Sequence, residues 1–507
     1  MPVQNGLLYD SPVSDNIPGA QAMPSIPREA ILDTVPRSAL AATKKIVNLV
    51  PITTGAVGQN STVQFLIPQR NLMKASSLYL KFKLDVPGTN PFSFSGSLAS
   101  AGALINNITI QAGGVVLESL QNYHLWHNNV MSWAHQGEAE LSIESLCSGT
   151  KLPGSAPAQW AVKQAGAAAN NYEQDIVGYS SYESTPINVG GTAAVNPIFT
   201  NTKQFLNAGA GTMTSVFSIP LLSGVFNPKE SQLIPLQFIN GGILITIQTN
   251  SVAKAFFENA TSSIANFTMS QMELCYAEIT PAPEYILRIR EEMMAGKMIK
   301  IECQSYQQYN VASGQTVRQN FNVNLSSVSS IFWGRVFGAD STLTSKQFQG
   351  FGIDADPNTR FECYLDNVLL FNSPNQLNSM AVQVRQLQEA LQSSVTDYAV
   401  TPFISGRGNN ITYATVGANT NQVPDTATID NTLFTTCMLY GLSTKLFASN
   451  STSMDGTPIG VLTINFQIGN ALGTTGVSEQ NTNLWYVYVV YDYIYLVDAT
   501  GSVSKNQ

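Results

Sequence analysis

The sequence has few charged residues, which make up only 11% of its 507 positions, against roughly 25% in an average soluble protein. Hydrophobic residues make up 44%, so the chain can fill large cores. This composition excludes a disordered chain, which combines low hydrophobicity with high charge. Because the cores of protein interfaces are depleted in charge, the composition also predicts extensive contact with other subunits.

Positive charge is especially scarce. The net charge is −8, and the 25 Lys and Arg residues are thinly spread. The first 50 residues contain only Arg28, Arg37, Lys44 and Lys45. Binding to the phosphate backbone of nucleic acid requires a concentrated basic patch. We therefore expect no direct contact with nucleic acid.

Cysteines and apolar runs are also too few to define a secreted or membrane protein. The five cysteines are odd in number, far apart and form no CxxC pair, which excludes a zinc framework and a disulfide scaffold. They suit a reducing compartment. The start "MPVQNGLLYDSPVSDN" lacks the basic and apolar regions of a signal peptide, and no run approaches the ~18 apolar residues of a membrane span. We expect a soluble protein that is made inside the cell.

The sequence contains none of the common catalytic or cofactor-binding motifs. GxSxG, GxxxxGK, GxGxxG and HExxH are all missing. Asp354 and Asp356 have the spacing of a calcium loop but no closing Glu, so a plain turn is favoured. Glu291 and Glu292 fit the solvated face of a helix. We predict no enzyme, no catalytic residue, no cofactor and no metal site.

All three histidines, His124, His127 and His135, fall in or beside the segment "NYHLWHNNVMSWA". Helical spacing there places an apolar face on the opposite side, formed by Tyr123, Trp126, Val130, Trp133 and Ala134. A metal site is one interpretation, but a helix separates His124 from His135 by about 16 Å along its axis. Zinc needs its nitrogen ligands roughly 2 Å from one ion. We predict histidines on a polar face at a surface or subunit contact, which protonation at mildly acidic pH would loosen.

Two hairpin-like stretches recur in the chain. "ITIQAGGVVLES" (108–119) and "FECYLDNVLLFN" (361–372) are each an apolar strand, a two-residue turn and a second apolar strand. The offset of 253 residues between them also relates Leu78 to Ile331. Two later stretches of the second half also correspond to stretches of the first. They are "GVLTINFQI", which corresponds to "GGILITIQT", and "LWYVYVVYDYIYLVD", which corresponds to "FTMSQMELCYAEI". In the first of these pairs, the apolar residues of the two strands are one position out of phase. Either a one-residue bulge or a register error explains that difference. The repeat predicts a duplicated domain.

Each half supplies about eight short strands, one helix after the hairpin and one long polar stretch. This pattern predicts an all-β fold of two tandem eight-stranded jelly-roll sandwiches with short inserted helices and long apical loops. The predicted organisation is an extended N-terminal arm (1–45), a first jelly roll (46–282, long loop 137–212), a connector helix (283–297) and a second jelly roll (298–507, long loop about 404–432). The alternating aromatics of "LWYVYVVYDYIY" are assigned to a β core rather than to a sugar-stacking platform.

The order of these elements resembles the double jelly-roll major capsid proteins of DNA viruses, above all those of virophages and polinton-like viruses. The resemblance lies in "FLIPQRNLMKASSLYLKFKLDV", "INNITIQAGGVVLESLQNYHLW", "LLSGVFNPKESQLIPLQFINGGILITIQ" and "YVVYDYIYLVDATGSV", and it covers roughly residues 45 to 500. It implies a homotrimeric, pseudo-hexameric capsomer that self-assembles into an icosahedral virion shell inside the host cell. The implied partners are a second and third copy of the chain, neighbouring capsomers, and penton and minor capsid proteins. The arm would reach under the shell to neighbours, to minor proteins or to an internal membrane.

Two other functions fit a β-sandwich. A carbohydrate-binding lectin or adhesin would need a sugar pocket and normally a secretion route. A glycosidase would need two carboxylates facing one cleft.

Overall fold

Antiparallel β-strands with alternating burial dominate the computed structural model of this protein. The structure describes residues 42–53, 55–88, 92–95, 100–130, 147–148, 211–226, 233–258, 264–311, 316–336, 351–352, 360–370, 375–376, 385–391, 439–445, 456–467 and 484–506. Residues Thr43–Gln507 belong to one compact unit.

Among the described residues, twelve strands precede residue 282. They are β1 (Ala42–Leu49), β2 (Thr62–Ile67), β3 (Leu72–Lys74), β4 (Tyr79–Gly88), β5 (Phe92–Phe94), β6 (Ile105–Ala112), β7 (Val115–Leu120), β8 (Gly211–Pro220), β9 (Leu233–Ile234), β10 (Ile243–Thr249), β11 (Phe256–Glu258) and β12 (Thr268–Pro281). 

In the part of the chain that the structure describes, ten strands follow residue 298. They are β13 (Ile299–Val311), β14 (Thr316–Val336), β15 (Phe351–Gly352), β16 (Arg360–Leu365), β17 (Val368–Leu369), β18 (Asn375–Gln376), β19 (Tyr440–Ser443), β20 (Thr457–Gln467), β21 (Leu484–Val497) and β22 (Val503–Asn506).

The helices are short. Helix α1 (Tyr123–Leu125) continues into a π-helical turn (Trp126–Val130), α2 is Val252–Ala255, α3 is Pro283–Met294, and residues 385–391 form α4. Short 3-10 turns lie at Ala75–Ser77, Ala101–Leu104 and Leu236–Phe238. Helix α3 falls within the segment 283–297 for which the sequence predicts a connector helix.

The alternation in β4 shows how the sequence specifies a strand. Leu80, Phe82 and Leu84 are fully buried, whereas Lys81, between two of them, is exposed. Side chains along a strand point alternately to its two faces, so this pattern places one face on a core and the other towards water. On either side, β4 pairs antiparallel with β8 and β12.

The first half forms two main sheets with a jelly-roll strand order, beside a small two-stranded sheet of β5 and β11. In one sheet, β12 pairs with β1 and with β4, and β8 pairs with β4. In the other, β10 lies between β2 and β6, and β7 pairs with β6. If the eight strands β1, β2, β4, β6, β7, β8, β10 and β12 are counted from one to eight, the two orders are 1-8-3-6 and 2-7-4-5. An eight-stranded jelly roll has two such antiparallel sheets.

The second half repeats both orders. Strand β21 pairs with β13 and with the later part of β14, which also pairs with β19. Strand β20 lies between the earlier part of β14 and β16, and β17 pairs with β16. Counting the two parts of β14 as the second and third strands gives 1-8-3-6 and 2-7-4-5 again. The expected all-β fold of two tandem jelly rolls is therefore confirmed.

Strand β14 serves both sheets of the second jelly roll. Its residues Thr316 to Val328 pair with β20, and Val328 to Val336 pair with β21. Asn324, with φ of 50°, lies in the left-handed region, and the pairing register shifts on both sides of Leu325. These irregularities let one strand pass between the two sheets, whereas the first jelly roll uses separate strands, β2 and β4.

Strand pairing also decides the phase difference between the two repeats. Ile245 of β10 lies opposite Ile110, and Ile464 of β20 lies opposite Cys363. The hairpin offset of 253 residues thus corresponds to an offset of 219 between β10 and β20. The alternative of a register error is correct, and no bulge is needed to relate the two strands.

Parts of the predicted organisation lie outside the described residues. These are 1–41 of the arm, the loop about 404–432, and the loop 137–212 except for residues 147–148 and 211–212. Strand β1 begins at Ala42 and β8 at Gly211, so each starts inside a segment predicted to be irregular.

Candidate functional site

The two jelly rolls meet at an aromatic contact built on α1. The Trp126 ring stacks on Tyr306 with 4.4 Å between ring centroids, and its neighbours Tyr488 and Phe332 lie at 5.4 and 6.1 Å. These three partners come from β13, β21 and β14 of the second jelly roll. The helix that follows the first hairpin is therefore enclosed by the second half of the chain, and aromatic packing of this kind adds to the free energy gained by burial.

Glu118 of β7 forms the polar centre of the same interface. It is fully buried and accepts hydrogen bonds from the backbone N–H groups of Gly224 (2.9 Å) and Val225 (3.4 Å). Burial raises the pKa of this carboxyl, and the hydrogen bonds from Ser305, Val225 and Gly224 and the charge of Lys505 only partly offset the rise. Ser305 and Lys505 belong to the second jelly roll, so the carboxylate links both halves of the molecule.

Gly224 sets how closely the two halves approach each other. A Cβ atom at this position would lie 2.1 Å from the Gln304 carbonyl oxygen of β13 and 2.7 Å from Glu118 Oε1. No real Cβ fits at such distances, because the carbonyl belongs to the backbone of a paired strand. The sequence requirement for glycine here is steric.

Side-chain amides extend the interface on both sides of Glu118. Asn122 Nδ2 donates to Gln308 Oε1 at 2.8 Å, and the Tyr306 hydroxyl donates to the Gln121 carbonyl at 3.3 Å. At the other end, Asn240 Nδ2 donates to the Thr500 carbonyl at 2.6 Å. Each bond joins the first jelly roll to the second, which makes the pair of barrels a single unit.

The aromatic side chains of β21 fill the second core, as the sequence predicts. Trp485, Tyr488, Tyr493 and Tyr495 are fully buried. Burial is the main cause that raises the pKa of the three tyrosine hydroxyls well above the usual value. Lys505 Nζ lies 4.4 Å from the centre of the Tyr493 ring. These rings are not available to stack on a sugar.

The prediction that the histidines lie on a polar surface is wrong for His124 and His127. Their exposed fractions are only 2% and 3%, because α1 lies between the 3-10 turn Ala101–Leu104 and the second jelly roll, and both faces are covered. The His127 ring nitrogen Nδ1 lies 3.1 Å from Ser100 Oγ and 2.9 Å from Asn128 Oδ1. Both sides of this helix are therefore core.

His124 is the more unusual of the two. Neither of its ring nitrogens has a hydrogen-bond partner within the described part of the chain. Burial, with a smaller effect from the positive charge of Lys254, lowers its pKa to about 3. The imidazole thus stays neutral at mildly acidic pH, contrary to the predicted switch. His135 lies outside the described residues.

The structure gathers no metal-binding cluster among the residues it describes. Asp354 and Asp356 lie outside them. Glu292 is on the solvated face of α3, as predicted, and pairs with Arg288 (3.6 Å) and Lys297 (3.7 Å). No helix of the described segments is long and apolar enough to cross a bilayer.

Sequence reasoning missed one buried ionic cluster around Glu278 of β12. Lys45 Nζ of β1 lies 3.1 Å from this carboxylate, Arg70 Nε lies 2.8 Å away, and Asn71 donates to it at 2.6 Å. Burial alone would raise the pKa of Glu278, but the hydrogen bonds from Asn71 and Lys45 and the two positive charges lower it. This cluster attaches β1 to the edge of its sheet. Nothing in the spacing of these residues in the sequence signals it.

Comparison with known proteins identifies the fold but no sequence relative. No protein-family profile matches the chain, and no curated protein matches it by sequence. Among solved structures, VP54 of PBCV-1 fitted into a reconstruction of the virophage Sputnik is 11% identical, with 94% of this chain and 99% of that chain covered and a TM-score of 0.52.

Two further solved structures give similar values. A quasi-atomic model of the PBCV-1 virus capsid is 12% identical, with 94% and 99% of the two chains covered and a TM-score of 0.52. The cryo-EM structure of the Sputnik virophage is also 12% identical, with 97% and 94% covered and a TM-score of 0.52. The chain thus shares the double jelly-roll fold of these viral capsid structures over nearly its whole length.

Proposed function

We propose that this chain is the major capsid protein of a DNA virus, a structural protein rather than an enzyme. The observation that carries the proposal is the fixed pair of jelly rolls, each with the same strand order, held together by the buried contacts of Trp126 and Glu118. One polypeptide thereby presents two similar upright walls to its surroundings. The fold shared with the PBCV-1 and Sputnik capsid structures supports the same conclusion.

The proposed assembly unit is a homotrimer, in which three copies supply six jelly rolls and make a pseudo-hexagonal tile. Tiles of this kind would repeat in closed icosahedral symmetry to form the virion shell. The low charge of the chain, 11% of residues, suits many apolar contacts between subunits, because unpaired charges are costly to bury. The first jelly roll corresponds to residues 46–282 and the second to 298–507.

Positions in the sequence suggest roles for the remaining segments. In this proposal the segments predicted as loops, 137–212 and about 404–432, would project outward from the shell. The arm 1–45 reaches beneath it towards neighbouring capsomers, penton and minor capsid proteins, or an internal membrane. Assembly takes place inside the host cell, and the genome is enclosed without direct contact with a basic surface of this protein.

Native mass spectrometry of the purified protein tests the proposal. At micromolar concentration we expect a species of three times the 54.7-kDa chain mass, and electron microscopy at higher concentration should show closed shells or hexagonal sheets. A monomer under both conditions would contradict a capsid role.

A further inference from the structure

The two jelly rolls contact each other through different edges. The first contributes its hairpin side, where Glu118 lies on β7 and the Gly113 turn approaches Val503 of β22. The second contributes the outer strand of its other sheet, β13, whose Ile301, Cys303 and Tyr306 are buried. One junction inside the chain therefore joins a hairpin edge to a first-strand edge.

Each of these edges has a counterpart in the other jelly roll, and both counterparts carry exposed apolar side chains among the described residues. Strand β1 holds the position in the first jelly roll that β13 holds in the second, because each is the first strand and pairs with the eighth. Yet β13 has buried residues along its length and only two exposed ones, Lys300 and Asn310, whereas five consecutive residues at the start of β1 are exposed. Ile46 is 68% exposed and Val50 71%, and Ile52 is exposed beside them.

The hairpin edge of the second jelly roll is uncovered in the same way. Hairpin β16–β17 corresponds to β6–β7, and its turn residues Asp366 and Asn367 adopt positive φ values, as Gly113 and Gly114 do. Val368 on this hairpin is 69% exposed, and Leu369 and Leu370 are exposed beside it. Exposed apolar groups concentrated at one place indicate an interaction surface.

We propose that the hairpin patch (Val368, Leu369 and Leu370) of one copy docks on the β1 patch (Ile46, Val50 and Ile52) of the next copy. This contact repeats between chains the junction that already exists between the two jelly rolls of one chain. The two patches differ, so the contact is head-to-tail and closes only as a ring. The inference rests on the proposed capsid function and names the surfaces that would join its trimer.

Two single substitutions and their combination test this pairing. Ile46→Glu and Val368→Lys each put a charge into an apolar contact, so each is expected to raise the trimer dissociation constant by at least tenfold. In the double variant every junction holds one Glu and one Lys, and at least half of the lost affinity on a logarithmic scale should return. Met294→Glu is the matched control, because Met294 is a 79% exposed apolar residue of α3 outside both patches, and it should leave the trimer unchanged.

Sedimentation velocity over a range of concentrations gives the constants, and thermal melting checks that each variant is folded. An Ile46→Cys/Val368→Cys variant, oxidised at low concentration, should give covalently linked trimers on a denaturing gel.

The outcomes separate the two proposals. A monomeric wild-type protein overturns the capsid function. A wild-type trimer that both single variants leave intact keeps that function and overturns the pairing. The same holds if only one of the two single variants weakens the trimer.

Discussion

Acidification should destabilise the protein through His124, and replacement of this residue by leucine should remove the effect. His124 is buried, without a hydrogen-bond partner among the described residues, and its pKa is about 3 in the folded protein. In the unfolded chain an imidazole has a pKa near 6.5. Below that value the unfolded chain takes up a proton that the folded protein does not bind.

The sign and size of the effect follow from this difference. A group with a lowered pKa in the folded state contributes stability above its unfolded pKa, and that contribution is lost as the pH falls. Linkage gives a loss of about 2 kcal/mol between pH 8 and pH 5, and about 3 kcal/mol by pH 4. The positive charge of Lys254 adds to the cost of charging the ring.

Urea unfolding of wild type and His124→Leu at pH 8, 6 and 5, at one fixed subunit concentration, measures the difference. The wild type should lose about 2 kcal/mol more than the variant between pH 8 and pH 5. Tyr123→Phe is the matched control, because Tyr123 is buried on the same helix and its hydroxyl bonds to backbone groups of residues 220 and 222. Burial raises the pKa of this hydroxyl above its ordinary value, so it stays protonated at every pH of the experiment. This control should be less stable than wild type by a similar amount at every pH. Equal pH dependence in wild type and His124→Leu would refute the reasoning.

Two further predictions concern the contact between the jelly rolls. Gly224→Ala should destabilise the protein by about 1–3 kcal/mol, because the new methyl group has no space against the Gln304 backbone. Gly58→Ala, where the methyl group meets only an ordinary contact at 3.5 Å, should be nearly neutral, and equal melting temperatures for the two variants would contradict the steric argument. Glu118→Gln should flatten the dependence of stability on pH. The folded pKa of Glu118 is raised, so its contribution to stability is full below the usual pKa and is lost as the pH rises through the raised value. Urea unfolding of wild type and Glu118→Gln at pH 4.5 and pH 8 measures this. An equal change in the free energy of unfolding of the two proteins between these pH values would contradict the prediction.

Local chemistry was sufficient to predict the repeated elements. The turn residues Gly113–Gly114 and Asp366–Asn367 all have positive φ in the structure, and glycine, asparagine and aspartate are the residues that two-residue hairpins favour. The alternation of apolar and polar residues along β4 matches the alternation of buried and more exposed side chains in that strand. The order of such elements was enough to predict two jelly rolls, because each hairpin is followed by a partner strand that pairs with it.

The burial of the histidines is a feature that the local sequence pattern did not predict. The apolar stripe through Trp126 and Val130 correctly marked one side of α1 as core, but the opposite side was assigned to water because it carries His124 and His127. That assignment assumes that a helix next to a sheet has one free face. Here Trp126 packs against the second jelly roll. The other face of the helix packs on the 3-10 turn Ala101–Leu104, which has room for the His127 ring only because residue 102 is glycine.

The interface between the jelly rolls was not predicted because it joins residues that are far apart in the sequence. Glu118 and Gly224 are unremarkable in their local sequence, and their roles arise only when β13 is brought against them from about 80 residues or more further along the chain. The duplicated fold makes a contact of this kind once within the chain, between the edge of β7 and the edge of β13. Within the described part of the chain, the other edge of each kind has exposed apolar residues, Ile46 on β1 and Val368 on β17. An arrangement of two like barrels in one chain is therefore incomplete by itself, and copies of the chain can complete it by the contact that the chain already makes internally.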